Sequence, residues 1–177
     1  LSAIILREVR ARAEAALGFP GREEALRCHA TALEGIGRAR ESIDLLARAG
    51  SPGLELGAAR LALRQSDREG ARRRLVALLL DGAPGDETDR AIDTLRSAAP
   101  DPSRRFLPAD RPRVLRAAER WKEAGRLRPA LDLLEAARPR STPAGRCLAE
   151  EALLVADLLI RLGRGAESDP YVARAAK

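Results

Sequence analysis

The sequence predicts an all-α protein, on three observations. Ala, Leu, Arg and Glu dominate the chain, and all four are strong helix formers. Strand-type runs of alternating β-branched residues are absent. Glycine and proline cluster between stretches of helical length. The spacing predicts about ten helices, near 2–17, 22–35, 39–49, 54–65, 68–80, 86–98, 109–124, 127–138, 144–162 and 168–176.

The punctuation justifies these elements in order. Gly18-Phe19-Pro20-Gly21 ends the first helix, and Gly50-Ser51-Pro52-Gly53 separates the third from the fourth. Ser66-Asp67-Arg68-Glu69-Gly70 is a turn into the fifth. Asp81-Gly82-Ala83-Pro84-Gly85 is a turn before the sixth, with Asp86 as its expected N-cap. Three prolines in Pro100–Pro108 forbid a regular helix there, so the segment reads as an irregular crossing that pins Phe106 and Leu107 against the core. Thr142-Pro143 starts the ninth helix, with proline at its first position. At 177 residues the chain suits one domain, 1–177, with 100–108 the place for a subdomain break.

Composition limits the chemistry. There is no Met, and the aromatic residues are Phe19, Phe106, Trp121 and Tyr171, so the core must be built from Leu, Ala, Val and Ile. The net charge is +6, and apart from Lys122 and Lys177 every basic residue is Arg. Arg, Ala, Gly and Pro share GC-rich codons, which points to a high-GC bacterial genome. A nucleic-acid surface would rest on Arg72-Arg73-Arg74, on Arg104-Arg105 and on the group Arg111, Arg113, Arg116 and Arg120. Acidic residues are interspersed throughout, and no helix-turn-helix, RNA-binding aromatic pair or zinc spacing accompanies those groups. Nucleic-acid binding is therefore not expected.

Cys28 and Cys147 are far apart with no CxxC spacing, so buried free thiols are expected. Leu1 to Leu6 is too short for a signal-peptide core or a membrane span. The opening Leu reads as the start of an excised piece or a mature product. Leu153 to Ile160 is apolar, but Glu150, Glu151 and Arg161 flank it and Asp157 interrupts it, so it reads as a buried helix.

Catalytic sets are not apparent. His29 is the sole histidine, and its neighbour Cys28 projects about 100° away on a helix, so the two do not face each other. One His and two distant Cys make no metal ligand set. The acid pairs Glu23-Glu24, Asp86-Glu87 and Glu150-Glu151 sit near helix starts, where carboxylates favourably meet the helix dipole. No GxxxxGK[ST], GxSxG or HExxH motif occurs, and Gly35-Ile36-Gly37 lacks the strand that a phosphate loop needs. No catalytic residue, metal or cofactor is expected.

The most informative stretch is Ala117–Ala137, two short helices joined at Gly125. Ala118, Trp121, Gly125, Ala130, Leu134 and Ala137 place small residues where helices touch and bulky ones where a seam needs filling. This spacing resembles the tetratricopeptide repeat. Pro143 stands one place later than that family's proline, where this chain has Thr142. Looser copies surround Gly37 (Ala30, Ser42, Leu46, Ala49), Ser66 (Ala59, Ala71, Leu75, Leu78) and Gly163 (Ala156, Ser168, Val172, Ala175). The interval from Ser66 to Gly125 is about twice that from Gly37 to Ser66, so the array is degenerate.

The resemblance implies a right-handed α-solenoid of about ten antiparallel helices with a binding surface. By the same resemblance, the ligand-facing positions are Arg60, Leu63 and Arg64 in one copy, Glu119, Lys122 and Glu123 in the next, and Asp157, Ile160 and Arg161 in the last. Arg60 with Arg64 would suit a carboxylate. The expected function is a non-catalytic bacterial scaffold with a protein or peptide partner, in the cytoplasm. The alternative comes from texture. The Ala/Leu/Arg-rich hairpins are similar to the superhelical domain of soluble lytic murein transglycosylases, which implies the non-catalytic part of a periplasmic cell-wall enzyme. A third expectation is the helical sensor part of a large bacterial regulator.

Overall fold

The computed structural model describes residues 21–138 and 149–176. The described residues are helical throughout, with no strand. Nine α-helices are described: α1 (Arg22–Gly35), α2 (Ala39–Arg48), α3 (Pro52–Arg64), α4 (Arg68–Asp81), α5 (Asp86–Ala98), α6 (Arg111–Glu123), α7 (Leu127–Ala137), α8 (Ala149–Arg161) and α9 (Asp169–Ala175). The helix expected at 2–17 and the start signal at Thr142-Pro143 lie outside the described residues. Among the described residues, no helix is long and apolar enough to cross a membrane.

One turn geometry occurs four times. Gly37, Ser66, Gly125 and Gly163 all take positive φ, at 78°, 63°, 76° and 73°. At each, two backbone bonds close the preceding helix. Arg126 N–H donates to Trp121 O at 2.8 Å and Gly125 N–H to Lys122 O at 3.0 Å. The same pair of bonds runs from Arg38 to Leu33 and Gly37 to Glu34, from Asp67 to Ala62 and Ser66 to Leu63, and from Arg164 to Leu159 and Gly163 to Ile160. This is the Schellman closure, which satisfies the last carbonyls of a helix through a left-handed residue. Ser66 is the one place where that conformation falls on a side-chain-bearing residue among those described.

The small-and-large pattern around these turns is the buried pattern. Ala30, Ala59, Ala118 and Ala156 are buried before the turns, as are Leu33, Ala62, Trp121 and Leu159. Ser42, Ala71, Ala130 and Ser168 are buried after them. Ser42 Oγ donates to Ala30 O at 2.9 Å, a close approach that needs a small residue on both helices. The fourth copy departs: a 3-10 turn, Gly165–Glu167, precedes α9, and Val172 is 48% exposed where its counterparts Leu46, Leu75 and Leu134 are buried.

The chain divides into two compact units, Leu1–Leu75 and Val76–Lys177, with the division inside α4. In the first unit, α1 packs on α2 and α2 on α3. Its core is Leu26, Ala30, Ile43, Leu46, Leu54, Ala58, Leu61, Ala62 and Ala71. Asp67 Oδ1 accepts from Gly70 N–H at 2.8 Å, capping the start of α4.

In the second unit, α6 packs on α7, α7 on α8 and α8 on α9, while α5 lies against α7 and α6 touches α8. Trp121, Leu131, Leu133, Leu134 and Leu158 are fully buried there. Asp86 is the first residue of α5, not its cap. Thr88 reaches back instead, accepting from Gly85 N–H at 2.8 Å, which frees Asp86 to pair with Arg126 at 2.8 Å. Pro100–Pro108 lies within this unit and forms a 3-10 turn, Pro102–Arg104, that Asp101 caps through Ser103 N–H at 3.0 Å. Arg105 ties the crossing down by donating to Ala99 O and Pro100 O at 2.9 and 3.1 Å. Phe106 is buried as expected, but Leu107 is 54% exposed. Its N–H is held by Asp110 Oδ2 at 3.0 Å, which fixes the backbone at the start of the next 3-10 turn and leaves the side chain outside.

Candidate functional site

Among the residues expected at a ligand surface, the strongest grouping joins α6 to α8. Lys122 Nζ donates to Asp157 Oδ2 at 3.0 Å, and Arg161 Nε donates to Asp157 Oδ1 at 2.9 Å. Hydrogen bonding by Arg161, with Lys122 adding to it, holds the Asp157 carboxyl below the usual aspartate range. These three side chains therefore neutralise one another in part and brace two helices. In the first unit, Arg64 does grip a carboxylate, but it is Glu34, at 3.0 Å. Arg60 is exposed one turn away, with no ion pair among the described residues. Leu63 is half-buried and Ile160 is 57% exposed.

Glu119 and Glu123 are exposed on α6 without an ion-pair partner among the described residues. Glu119 lines a groove of about 450 Å³, together with Pro108, Arg111, Pro112, Leu115 and Arg116 from the same stretch and Glu150 and Leu154 from α8. Side-chain direction explains the α6 contribution: Arg111 or Pro112, Leu115 or Arg116, and Glu119 recur every three to four residues and so share one face. Leu154 is buried and Leu115 half-buried at its base, while Pro108, Pro112, Arg116, Glu119 and Glu150 are exposed.

The basic group read from the sequence is mostly consumed internally. Arg111 donates to Glu151 Oε2 through Nε at 3.1 Å and Nη2 at 2.5 Å. Glu151 is buried, its side chain 7% exposed, and Arg138 Nε lies 3.9 Å from its other oxygen. Arg113 pairs with Asp81 at 2.6 Å, and Arg120 donates to Leu80 O at 2.7 Å. Two of the four arginines thus take carboxylates, while Arg120, on a backbone carbonyl, and Arg116 have no ion pair among the described residues.

Near α9 a second depression, about 410 Å³, lies over Leu131, Val155 and Leu159. Tyr171 stands at its edge, with the Arg138 and Arg174 guanidiniums 5.1 and 5.4 Å from the ring centroid. Arg138 also donates to the Tyr171 hydroxyl at 2.9 Å. A third concavity runs past Asp89, Asp93, Arg96 and Asp132. Burial pushes the Asp89 carboxyl up, while the Arg126 hydrogen bond pulls that of Asp86 down.

Acid pairs stand where helix-dipole reasoning puts them, in the first turns of α1, α5 and α8. His29 is buried on α1 beside Ala30, one face with Leu26 and Leu33. Cys28 has a free thiol but is exposed, against expectation, because one residue's rotation turns it away from that buried face. Cys147 lies outside the described residues. Among the described residues, no group of three or more His, Cys, Asp and Glu is placed to hold a metal ion.

Sequence reasoning reached Glu119 through the repeat spacing and named Arg111 and Arg116 only as cations. It missed Leu115, Leu154, Glu150, Pro108 and Pro112 as lining residues. Each looks like an ordinary helix or turn residue until α8 is laid against α6. No family model, curated protein or solved structure matches the chain.

Proposed function

We propose that the chain is a non-catalytic scaffold of degenerate tetratricopeptide-like helix pairs that binds another protein or a peptide. The repeated Schellman turns at Gly37, Ser66, Gly125 and Gly163 support the repeat reading, because four identical helix closures flanked by the same buried small residues are what a stacked array requires. The observation that carries the binding reading is the groove beside Glu119. Its volume is in the range of ligand sites, and an aliphatic floor with a charged rim suits a side chain presented by another chain.

The test is a peptide-display library panned against the purified chain, with selected peptides remeasured by fluorescence polarisation. Selected peptides should bind saturably, and Leu115→Lys should weaken them at least tenfold while leaving the circular dichroism spectrum unchanged. Failure to select any peptide that binds overturns the scaffold reading. Equal binding by the folded Leu115→Lys variant removes the groove from it.

A further inference from the structure

The groove between α6 and α8 carries an uneven set of charges. Arg111 is already matched, because its guanidinium takes the buried Glu151 carboxylate through two hydrogen bonds. That leaves Arg116, Glu119 and Glu150 at the rim, none with an ion pair among the described residues. Among the described residues, two carboxylates without an ion pair stand with one such guanidinium at the groove, so that described rim is negative although the whole chain is formally +6.

Between those charges the surface is apolar. Leu115 and Leu154 contribute aliphatic side chains, Pro108 and Pro112 contribute rings, and Leu154 is almost fully buried. The chain neighbours Leu107 and Leu153 are 54% and 56% exposed.

From this complementarity we propose that the groove takes a short peptide segment in which a bulky aliphatic or aromatic side chain is flanked by Lys or Arg. This rests on the scaffold reading above and names its partner's chemistry. The apolar side chain sits over Leu115 and Leu154, and the flanking cation meets Glu119 and Glu150. Arg116 is the element that disfavours a second cation on its side, and the same guanidinium donates to a backbone carbonyl or an acidic residue of the segment there. Because the protein as a whole is basic, the preference for cations arises at contact range and not from long-range attraction.

The experiment uses the full chain and three fluorescein-labelled octapeptides with a shared central Leu-Leu, flanked by Lys, by Glu or by Ser. The Lys-flanked peptide should bind at least tenfold tighter than the Glu-flanked one. In Glu119→Lys/Glu150→Lys the order should invert, and Glu119→Gln/Glu150→Gln should bind the two about equally, which serves if the charge reversal disturbs folding. Equal affinity for all three peptides, tighter binding of the Glu-flanked peptide, or a Lys preference that survives both double variants overturns the proposal. If library-selected peptides bind without a basic bias, this inference falls and the scaffold reading stands. If no peptide of any kind binds, the scaffold reading falls with it. A concentration-dependent dimer in sedimentation, abolished by the same variants, would assign the groove to a second copy of the chain instead.

Discussion

Lys122 Nζ lies 3.0 Å from Asp157 Oδ2, a link between helices thirty-five positions apart in sequence. Arg161 holds the second oxygen of the same carboxylate, so the charge sits between two cations. The carboxyl is depressed below its unfolded value. Its ionised form therefore stabilises the fold fully above the ordinary aspartate range, and that contribution disappears as pH falls through the depressed folded value. The pair is partly exposed, so Asp157→Asn should cost only about 0.2–1 kcal/mol at neutral pH. Urea melts of both proteins should converge as pH is lowered through and below the ordinary aspartate range. A stability gap that stays constant with pH would show that the charge is not what matters.

Glu151 is a different case, because its carboxylate is buried and answers two arginines from other helical segments, Arg111 and Arg138. Its removal lets Arg111, 38% exposed, turn to water, while Arg138 keeps its bond to the Tyr171 hydroxyl, so Glu151→Ala should cost only about 1 kcal/mol. Arg111→Ala instead leaves a carboxylate that is 7% exposed without its closest partner, with Arg138 at 3.9 Å, and should cost more, about 3 kcal/mol. Equilibrium denaturation of the two variants gives the comparison, and equal losses would contradict the asymmetry.

Trp121 is fully buried, yet its indole Nε1 has no hydrogen-bond partner among the described atoms. The ring therefore contributes by filling space. Trp121→Ala should cost about 3–5 kcal/mol, and Trp121→Phe should recover more than half of that because no indole hydrogen bond is lost. As the sole tryptophan, Trp121 should emit at short wavelength when folded and shift red as the Val76–Lys177 unit unfolds. A Phe variant as unstable as the Ala variant would mean that the indole nitrogen is satisfied in solution.

The turns at Gly125 and Ser66 make opposite predictions. Gly125 has φ +76° and open space where a side chain would stand, so Gly125→Ala should cost about 1 kcal/mol from backbone strain alone. Ser66 already bears that strain at φ 63°. Ser66→Gly should therefore be neutral or stabilising by up to about 1 kcal/mol, since relief of strain is offset by the added freedom of the unfolded chain. Thermal melts of the two single variants decide it; a destabilised Ser66→Gly would contradict the account.

Helix positions and turns were legible because they rest on local physics. Gly37, Gly125 and Gly163 mark left-handed closures that glycine favours, and small residues at fixed offsets mark the close approaches, as Ser42 on Ala30 illustrates. Even here, local reading misplaced the α5 cap, where Asp86 and Thr88 are both capable residues and the pull of Arg126 on Asp86 comes from far along the chain. Leu107 was misjudged for a related reason: apolar character favours burial, but the backbone bond to Asp110 aims that residue outward.

By itself, then, the sequence determined the helical class, the order of helices and the four repeated turns, since propensity, periodicity and positive φ are settled within a few residues. The tertiary structure decided which charges remain available. Arg111, Arg113, Lys122 and Arg64 look alike as exposed cations in the sequence, yet each takes a carboxylate from another helix. Charge pairing depends on distances of a few ångströms between segments thirty or more residues apart, and so does a groove shared by α6 and α8. Packing alone sets those distances.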